Sequence, residues 1–456
     1  MKHGLILLLA LSVCGAQDLR IGRAAVTITP PLGAPIGSSY GLTPAQGVHS
    51  DIHAKALVIE SAGVRAALVA CDLISIRREI VRETRKRIAD TTGLSPDQVI
   101  LSATHCHAGP QMHPLFYNLL PEPHRGLAER YVEALPDRIA ESVRQAVADL
   151  RPARAWQASI EEHDLSFNRR FLLKDGTVRM NPGRRNPNVV RPVGPIDPQV
   201  SVVYFDTPEG NPLAAYVNFA LHVAIAGGAQ VSSDYPGYLS KALANVLGER
   251  LVTVFTNGMS GNINHIDVHA PEQLSGHAEA ARIGTTLAAD VLKALRHKKP
   301  VAGSQLRYGR VPVVLQTPSY PPAEVEQARE TMKKAGLPEG RKPAFNDIVT
   351  AWRILDVADL NAYPLPTEVQ VVALGKDLAW VGLPGDAFVE LGLAVKLASP
   401  FAHTIVSEQS ASGAISYVPN LKAFPEGSYE VISARFLPGG GETLVDSAVK
   451  LLKELK

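Results

Sequence analysis

Short apolar runs separated by amphipathic stretches recur along most of the chain. Five runs, at 54–60, 66–70, 99–103, 201–205 and 251–255, have the length and aliphatic content of buried strands. Apolar positions recur at three- and four-residue spacing over 77–91, 127–149, 237–247 and 277–295, as in helices that bury one face. Strands alternating with helices of this length predict an α/β fold, a mixed or mainly parallel central sheet flanked by helices. Farther on, 322–360 reads as charged helices inserted ahead of two final strands, 369–373 and 378–381. A helix over 388–397 and an amphipathic one over 444–455, led in by 439–443, complete the pattern. No repeat, low-complexity tract or composition break divides the chain, so one large domain is expected over 17–456.

The first sixteen residues depart from this pattern. Lys2 and His3 precede an apolar stretch at 5–13, which meets the small residues Gly15 and Ala16. That is the layout of a secretory signal peptide at 1–16, and the stretch is too short to span a bilayer as a stable helix. The expected location is therefore outside the cytoplasm, periplasmic or extracellular. Lipid attachment at Cys14 fits less well, because Val13 is a poor residue directly before a lipidated cysteine. Removal of 1–16 leaves Cys71 and Cys106, each after an apolar run. A disulfide in an oxidising compartment and two isolated thiols are both compatible with that placement.

Composition narrows the function classes. The chain has 456 residues, 46% apolar and 20% charged, enough for a large core. Its 46 basic and 44 acidic residues are interspersed, which excludes the electrostatic footprint of a nucleic-acid binder. A small-molecule or lipid-like substrate remains, and oligomeric state is not legible.

The candidate chemistry lies where apolar runs end. Ser102-Ala103-Thr104-His105-Cys106-His107-Ala108-Gly109-Pro110 places two histidines just past a strand. If the backbone stays extended, side chains two apart share a side and both imidazoles converge, a pair suited to a metal ligand and a proton carrier. Alone, a His-x-His is more often solvated or hydrogen-bonded. His222 closes the run Val217-Asn218-Phe219-Ala220-Leu221, where a buried core histidine is the default. The glycine-punctuated loop 255–264 follows another strand and exposes backbone N–H groups suited to an oxyanion. Asp386 sits on the turn Leu383-Pro384-Gly385, a usual position for a helix N-cap. Tyr417 and Tyr429 fall in a Gly/Pro-rich stretch.

In this order, the motifs resemble the neutral/alkaline ceramidases, zinc amidohydrolases that cleave the N-acyl bond of ceramide. The resemblance begins at Gly22-Arg23-Ala24-Ala25-Val26-Thr27-Ile28-Thr29-Pro30 and Gly47-Val48-His49. It continues through the 102–110 block, Asn168-Arg169-Arg170, His222, the loop to Asn264, the Pro-Gly-Asp turn and Tyr417. It implies zinc on His105, His222, Asp386 and Tyr417, with His107 moving a proton near the substrate. Arg169 and Tyr429 match polar groups around the scissile amide. Three departures stand out. Asn264, in Gly261-Asn262-Ile263-Asn264-His265, occupies the place of the family's nucleophilic serine, and an amide cannot attack a carbonyl. Ser260 is the only hydroxyl nearby. Asp386 replaces a glutamate one methylene longer. The chain stops soon after the last motif, so the family's immunoglobulin-like domain is expected to be missing. The resemblance thus implies an exported zinc hydrolase that cleaves an amide or related bond with metal-activated water, Asn264 stabilising the oxyanion or orienting substrate. The alternative is a non-catalytic, metal-containing lipid- or glycan-binding protein on the same fold.

Overall fold

The computed structural model describes residues 19–37, 42–272, 274–336, 342–359, 364–410 and 415–456. The expected signal peptide and Cys14 lie outside these residues.

Three larger sheets of five, five and four strands carry the fold. In the first, β1 (Leu19–Thr27), β2 (His53–Ser61) and β3 (Val64–Cys71) run antiparallel in turn, and β4 (Val99–Ala103) joins β3 in parallel. In the second, β5 (Arg154–Glu161), β6 (Gln199–Asp206) and β7 (Pro212–Phe219) are antiparallel, and β8 (Val252–Asn257) adds in parallel to β7. In the third, β9 (Leu306–Leu315), β10 (Leu365–Leu374) and β11 (Leu378–Gly382) are antiparallel, with β12 (His403–Ser407) parallel to β11. Each parallel step is spanned by a helix: α1 (Arg78–Thr92), α3 (Asp234–Leu247) and α7 (Val389–Ala398). A parallel pair needs such a crossover, whereas tight turns dictate antiparallel neighbours. Ala62 and Gly63, both at positive φ, join β2 to β3 in two residues.

The α/β class and mixed pairing expected from the sequence are present, but the strands divide among three sheets and most pairs are antiparallel. Strands β1, β5, β7, β9 and β12 were not anticipated from the apolar pattern. The three sheets turn one face inward to a shared core that includes Leu57, Phe205, Tyr216, Trp380 and Ile405. The helices α1 and α2 (His124–Ala148), α3 and α4 (Gly276–Leu295), and α7 and α8 (Gly440–Glu454) cover the outer faces. Burial on both faces explains why several strands read as unbroken apolar runs.

The charged insertion forms α5 (Pro322–Gly336) and α6 (Phe345–Asp359), packed on Phe116 through Met332, Ala351 and Leu355. Cys71 and Cys106 are buried free thiols. Among the described residues, no helix is long and apolar enough to cross a membrane.

Candidate metal centre

The carboxyl ends of the parallel strands bring the site together. β4 leads to His105, β7 to His222, β8 to Ser260, β11 to Asp386 and β12 to Glu408. Such ends are where open α/β sheets usually gather ligands. Backbone bonds tie the strand exits to one another: Ala103 N–H donates to Gln409 O at 3.0 Å, and Glu408 N–H to Asn257 O at 3.1 Å.

His105 and His107 do converge, but not by extended alternation. β4 ends at Ala103, and His105 adopts φ +63°, the left-handed region. Gln409 (φ +49°), Ser416 (φ +65°) and Ser428 (φ +76°) share that unusual conformation near the site. Non-glycine residues hold it only where surrounding bonds over-determine the backbone, a common feature of functional sites. Here His107 N–H donates to Val223 O at 3.0 Å, and Cys106 N–H to Leu73 O at 3.0 Å. The turn places His107 Nε2 3.0 Å from His105 Nε2, and His222 Nε2 lies 3.1 Å from the same atom.

The far side of two rings sets their tautomers. His105 Nδ1 faces Ile74 O at 2.8 Å and Asp386 Oδ1 at 3.1 Å, both acceptors, so it carries the hydrogen. His222 Nδ1 likewise faces Ser260 O at 3.0 Å. In neutral rings, each Nε2 then presents a lone pair, and the two lone pairs oppose each other at 3.1 Å. Burial, then His105 and Arg169, push the His107 and His222 imidazoles well below their ordinary range. A cation among the converging nitrogens would satisfy their lone pairs. The ligand atoms of His105, His107 and His222 all lie within 4.8 Å of one another, and Tyr417 OH is 3.4 Å from His222 Nε2. Imidazole and phenol donors without a thiolate fit a zinc ion.

The other expected residues fall in different places. The Asp386 carboxylate reaches the Nδ1 edge of His105 and accepts from Gln409 Nε2, while His107 stands among the converging nitrogens. With a short side chain, Asp386 stops behind the histidine it faces. It is not a free N-cap either, because the α7 cap residue is Phe388. Asn264 points away from the histidines: its Nδ2 donates to Asn181 Oδ1 at 2.9 Å and its Oδ1 accepts from Ile266 N–H at 3.0 Å. The β-bridge Phe167↔Asn264 fixes that orientation.

Arg169 lies buried beside the histidines. Its Nη1 is 3.4 Å from His222 Nε2, its Nη2 donates to Gly261 O at 2.7 Å, and its guanidinium stands 5.3 Å and 5.9 Å from the Tyr417 and Tyr429 rings. Glu430 holds it from behind, Oε1 accepting from Arg169 Nε at 2.9 Å while Oε2 accepts from Arg170 Nη1 at 2.9 Å.

Glu430 and Glu408 escaped the sequence reading. Glu408 is fully buried; its Oε1 accepts from Ser260 Oγ at 2.6 Å and its Oε2 from Ser260 N–H at 2.9 Å. Burial and then Asp386 push its carboxyl well above the usual range. Through Ser260 it aims the carbonyl that orients His222. Gly261 fits here because a Cβ would stand 2.2 Å from Asp386 O. The one sequence signal for Glu408 was a charge directly after an apolar strand, which ordinary strand ends also show.

A cavity with about 1110 Å³ of empty space, part of it open to solvent, reaches the centre. His105, Asp386, Tyr417 and Tyr429 line it, together with the apolar Phe116, Trp352 and Leu365. Trp352 and Asp356 come from α6, so the insertion contributes to the cavity lining.

Comparison with known proteins agrees with this architecture. The family model for neutral/alkaline non-lysosomal ceramidases (N-terminal part) matches residues 21–260, more than half of the chain. The chain belongs to that family. The neutral ceramidase of Pseudomonas aeruginosa is 30% identical over 272 residues, covering 56% of this chain and 39% of that protein. Neutral ceramidase A of Dictyostelium discoideum is 28% identical over 233 residues, 49% of this chain and 31% of that one. The chain thus matches well under half the length of these curated relatives. The crystal structure of the Pseudomonas aeruginosa enzyme superposes with a TM-score of 0.74 at 22% identity, over 96% of this chain and 75% of that one. At that identity the superposition speaks for the fold. Asn264, Asp386, Tyr417 and Tyr429 lie beyond the family-model match, which contains His105, His107, Arg169 and His222.

Proposed function

We propose that the chain is a zinc-dependent amidohydrolase that cleaves the N-acyl bond of an amphipathic amide. The observation that carries this is the convergence of His107 Nε2 and His222 Nε2 on His105 Nε2, at 3.0 Å and 3.1 Å, beside a cavity whose lining includes His105, Phe116, Trp352 and Leu365. His105, His107 and His222 are the nitrogen donors and Tyr417 the oxygen donor. A zinc ion bound there supplies Lewis acidity and lowers the pKa of water toward neutrality. Ile74 O, Asp386 and Ser260 O hold two of the imidazoles in the donor tautomer. Arg169, fixed by Glu430 and Gly261 O, keeps a positive charge beside Tyr417 and Tyr429 where carbonyl oxygen charge develops. Asn264 has no nucleophilic atom and is bonded to Asn181, and Ser260 Oγ lies in the Glu408 contact that orients His222; in this reading water is the nucleophile. The signal-peptide layout of residues 1–16 supports export out of the cytoplasm.

The relatives are named as ceramidases, which makes ceramide the first amide to assay, beside other N-acyl amides. Zinc-loaded protein should release fatty acid from at least one of them, and His105→Ala should lose both zinc and activity. Zinc bound with inertness toward all of them would return the non-catalytic lipid- or glycan-binding reading.

A further inference from the structure

The cavity that reaches the metal centre is not lined by apolar groups alone. Arg77, Arg78 and Arg435 also line it, with the carboxylates of Glu79, Asp356 and Asp386. Two guanidiniums have their counter-charge. Arg77 Nε lies 3.4 Å from Glu79 Oε2, and Arg435 Nε donates to Asp356 Oδ2 at 2.8 Å. Asp386 serves His105. Arg78 is different: its Nη1 meets the Pro366 carbonyl at 3.5 Å, and no carboxylate pairs with it among the described residues.

Two further features point the same way. Arg78 opens α1, a fifteen-residue helix whose N-terminus has no side-chain cap, so its partial positive charge adds to the guanidinium. Arg435, which also lines the cavity, is 1% exposed and lies 4.5 Å over the Trp352 ring, and its Nη2 is buried with no hydrogen-bond acceptor. Leaving a guanidinium N–H unmatched in a buried setting is costly and points to an acceptor that arrives with a ligand. Arg78 is thus the lining guanidinium with no carboxylate in contact among the described residues. A planar monoanion suits the guanidinium fork.

We propose that the substrate of this cavity carries a carboxylate, received by Arg78 and the unmatched edge of Arg435, with its apolar chain along Phe116, Trp352 and Leu365. An N-acyl amino acid has this chemistry; a neutral N-acyl amino alcohol has only the apolar half. The inference rests on the amidohydrolase reading for what happens to the bound molecule, and on the cavity alone for what binds.

The test pairs N-lauroylglycine with N-lauroylethanolamine, nearly isosteric and differing in the carboxylate. Binding by calorimetry and hydrolysis by fatty-acid release are both measured on zinc-loaded protein. The glycine amide should bind about tenfold tighter or better, the worth of one charge-assisted hydrogen bond. Arg78→Gln should bring the ratio close to one, and Arg78→Lys should keep most of it. Arg78 is half-buried with one long bond, so neither variant disturbs the core. Equal binding of the two amides, or failure of both to bind, overturns the proposal. So does a preference that survives in Arg78→Gln, because the carboxylate is then held by the metal ion. Tighter binding of N-lauroyl phosphoethanolamine than of N-lauroylglycine would also overturn it, in favour of a dianion. Arg78-dependent binding of the glycine amide without hydrolysis of either would leave the carboxylate site standing and end the amidohydrolase reading. Hydrolysis of both without preference would do the reverse.

Discussion

Glu430 offers a direct test of how the fold holds Arg169. Its carboxylate is fully buried between two guanidiniums, with bonds of 2.9 Å to Arg169 Nε and 2.9 Å to Arg170 Nη1. Glu430→Gln keeps the shape but removes the charge and turns one oxygen into an N–H₂ group facing a guanidinium. Breaking a buried pair from one side costs about 3–5 kcal/mol. The lower end applies here, because Arg170 keeps Glu426 at 3.1 Å and Gly427 O at 3.0 Å, and Arg169 keeps Gly261 O at 2.7 Å. We expect about 3 kcal/mol less stability in urea unfolding with an unchanged m-value. Turnover should fall on the order of 10² as Arg169 loses its rear anchor. Zinc content should hold, since the histidines are oriented by Ile74 and Ser260 rather than by Glu430. Stability within about 0.5 kcal/mol of wild type, or full turnover in Glu430→Gln, would refute the claim that this triad positions Arg169.

Chelation should abolish hydrolysis and lower the unfolding midpoint, with zinc at a hundredfold excess over its dissociation constant restoring about 2.7 kcal/mol; activity that survives metal-free dialysis would contradict the centre. Asn264→Ala should change turnover less than about threefold, far from the 10² to 10³ lost with an oxyanion donor, because both ends of its amide are bonded elsewhere; a hundredfold loss would return Asn264 to the reaction. His403 is depressed from the usual 6.5 to about 4 by burial and then by Lys396. The unfolded chain therefore takes up a proton that the folded chain refuses. Stability is full above pH 6.5 and should fall by up to about 3 kcal/mol as pH drops toward 4; if His403→Gln leaves that pH dependence unchanged in urea titrations, this group is not its source.

Much of the local structure was legible. Apolar period and length located β2, β3, β4, α1, α4 and α7 to within a few residues, because burial on one or two faces leaves a direct trace in residue order. Strands such as β1 and β9 alternate with exposed polar positions or carry Gly and Pro, as in Leu306–Leu315, and left a weaker trace. The charged insertion at 322–360 was readable as helices, but not the contribution of Trp352 to the cavity lining.

The sequence alone marked where the chemistry could sit: histidines at the ends of apolar runs, a carboxylate on a Pro-Gly turn and tyrosines in a Gly/Pro-rich stretch, in an order resembling one family. Residue type and local spacing carry that much. Which atoms meet was decided by tertiary structure. The left-handed turn at His105 is stabilised by bonds to Leu73, Val223 and Gln409, residues distant in sequence, and it alone brings His107 Nε2 to His105. Asp386 ends behind His105, and Asn264 turns to Asn181, because side-chain reach and strand pairing act only once three sheets have packed. Glu408 and Glu430 matter through buried partners more than 140 residues away, Ser260 and Arg169, and a charge next to an apolar run looks the same in sequence whether it meets water or a buried hydrogen bond.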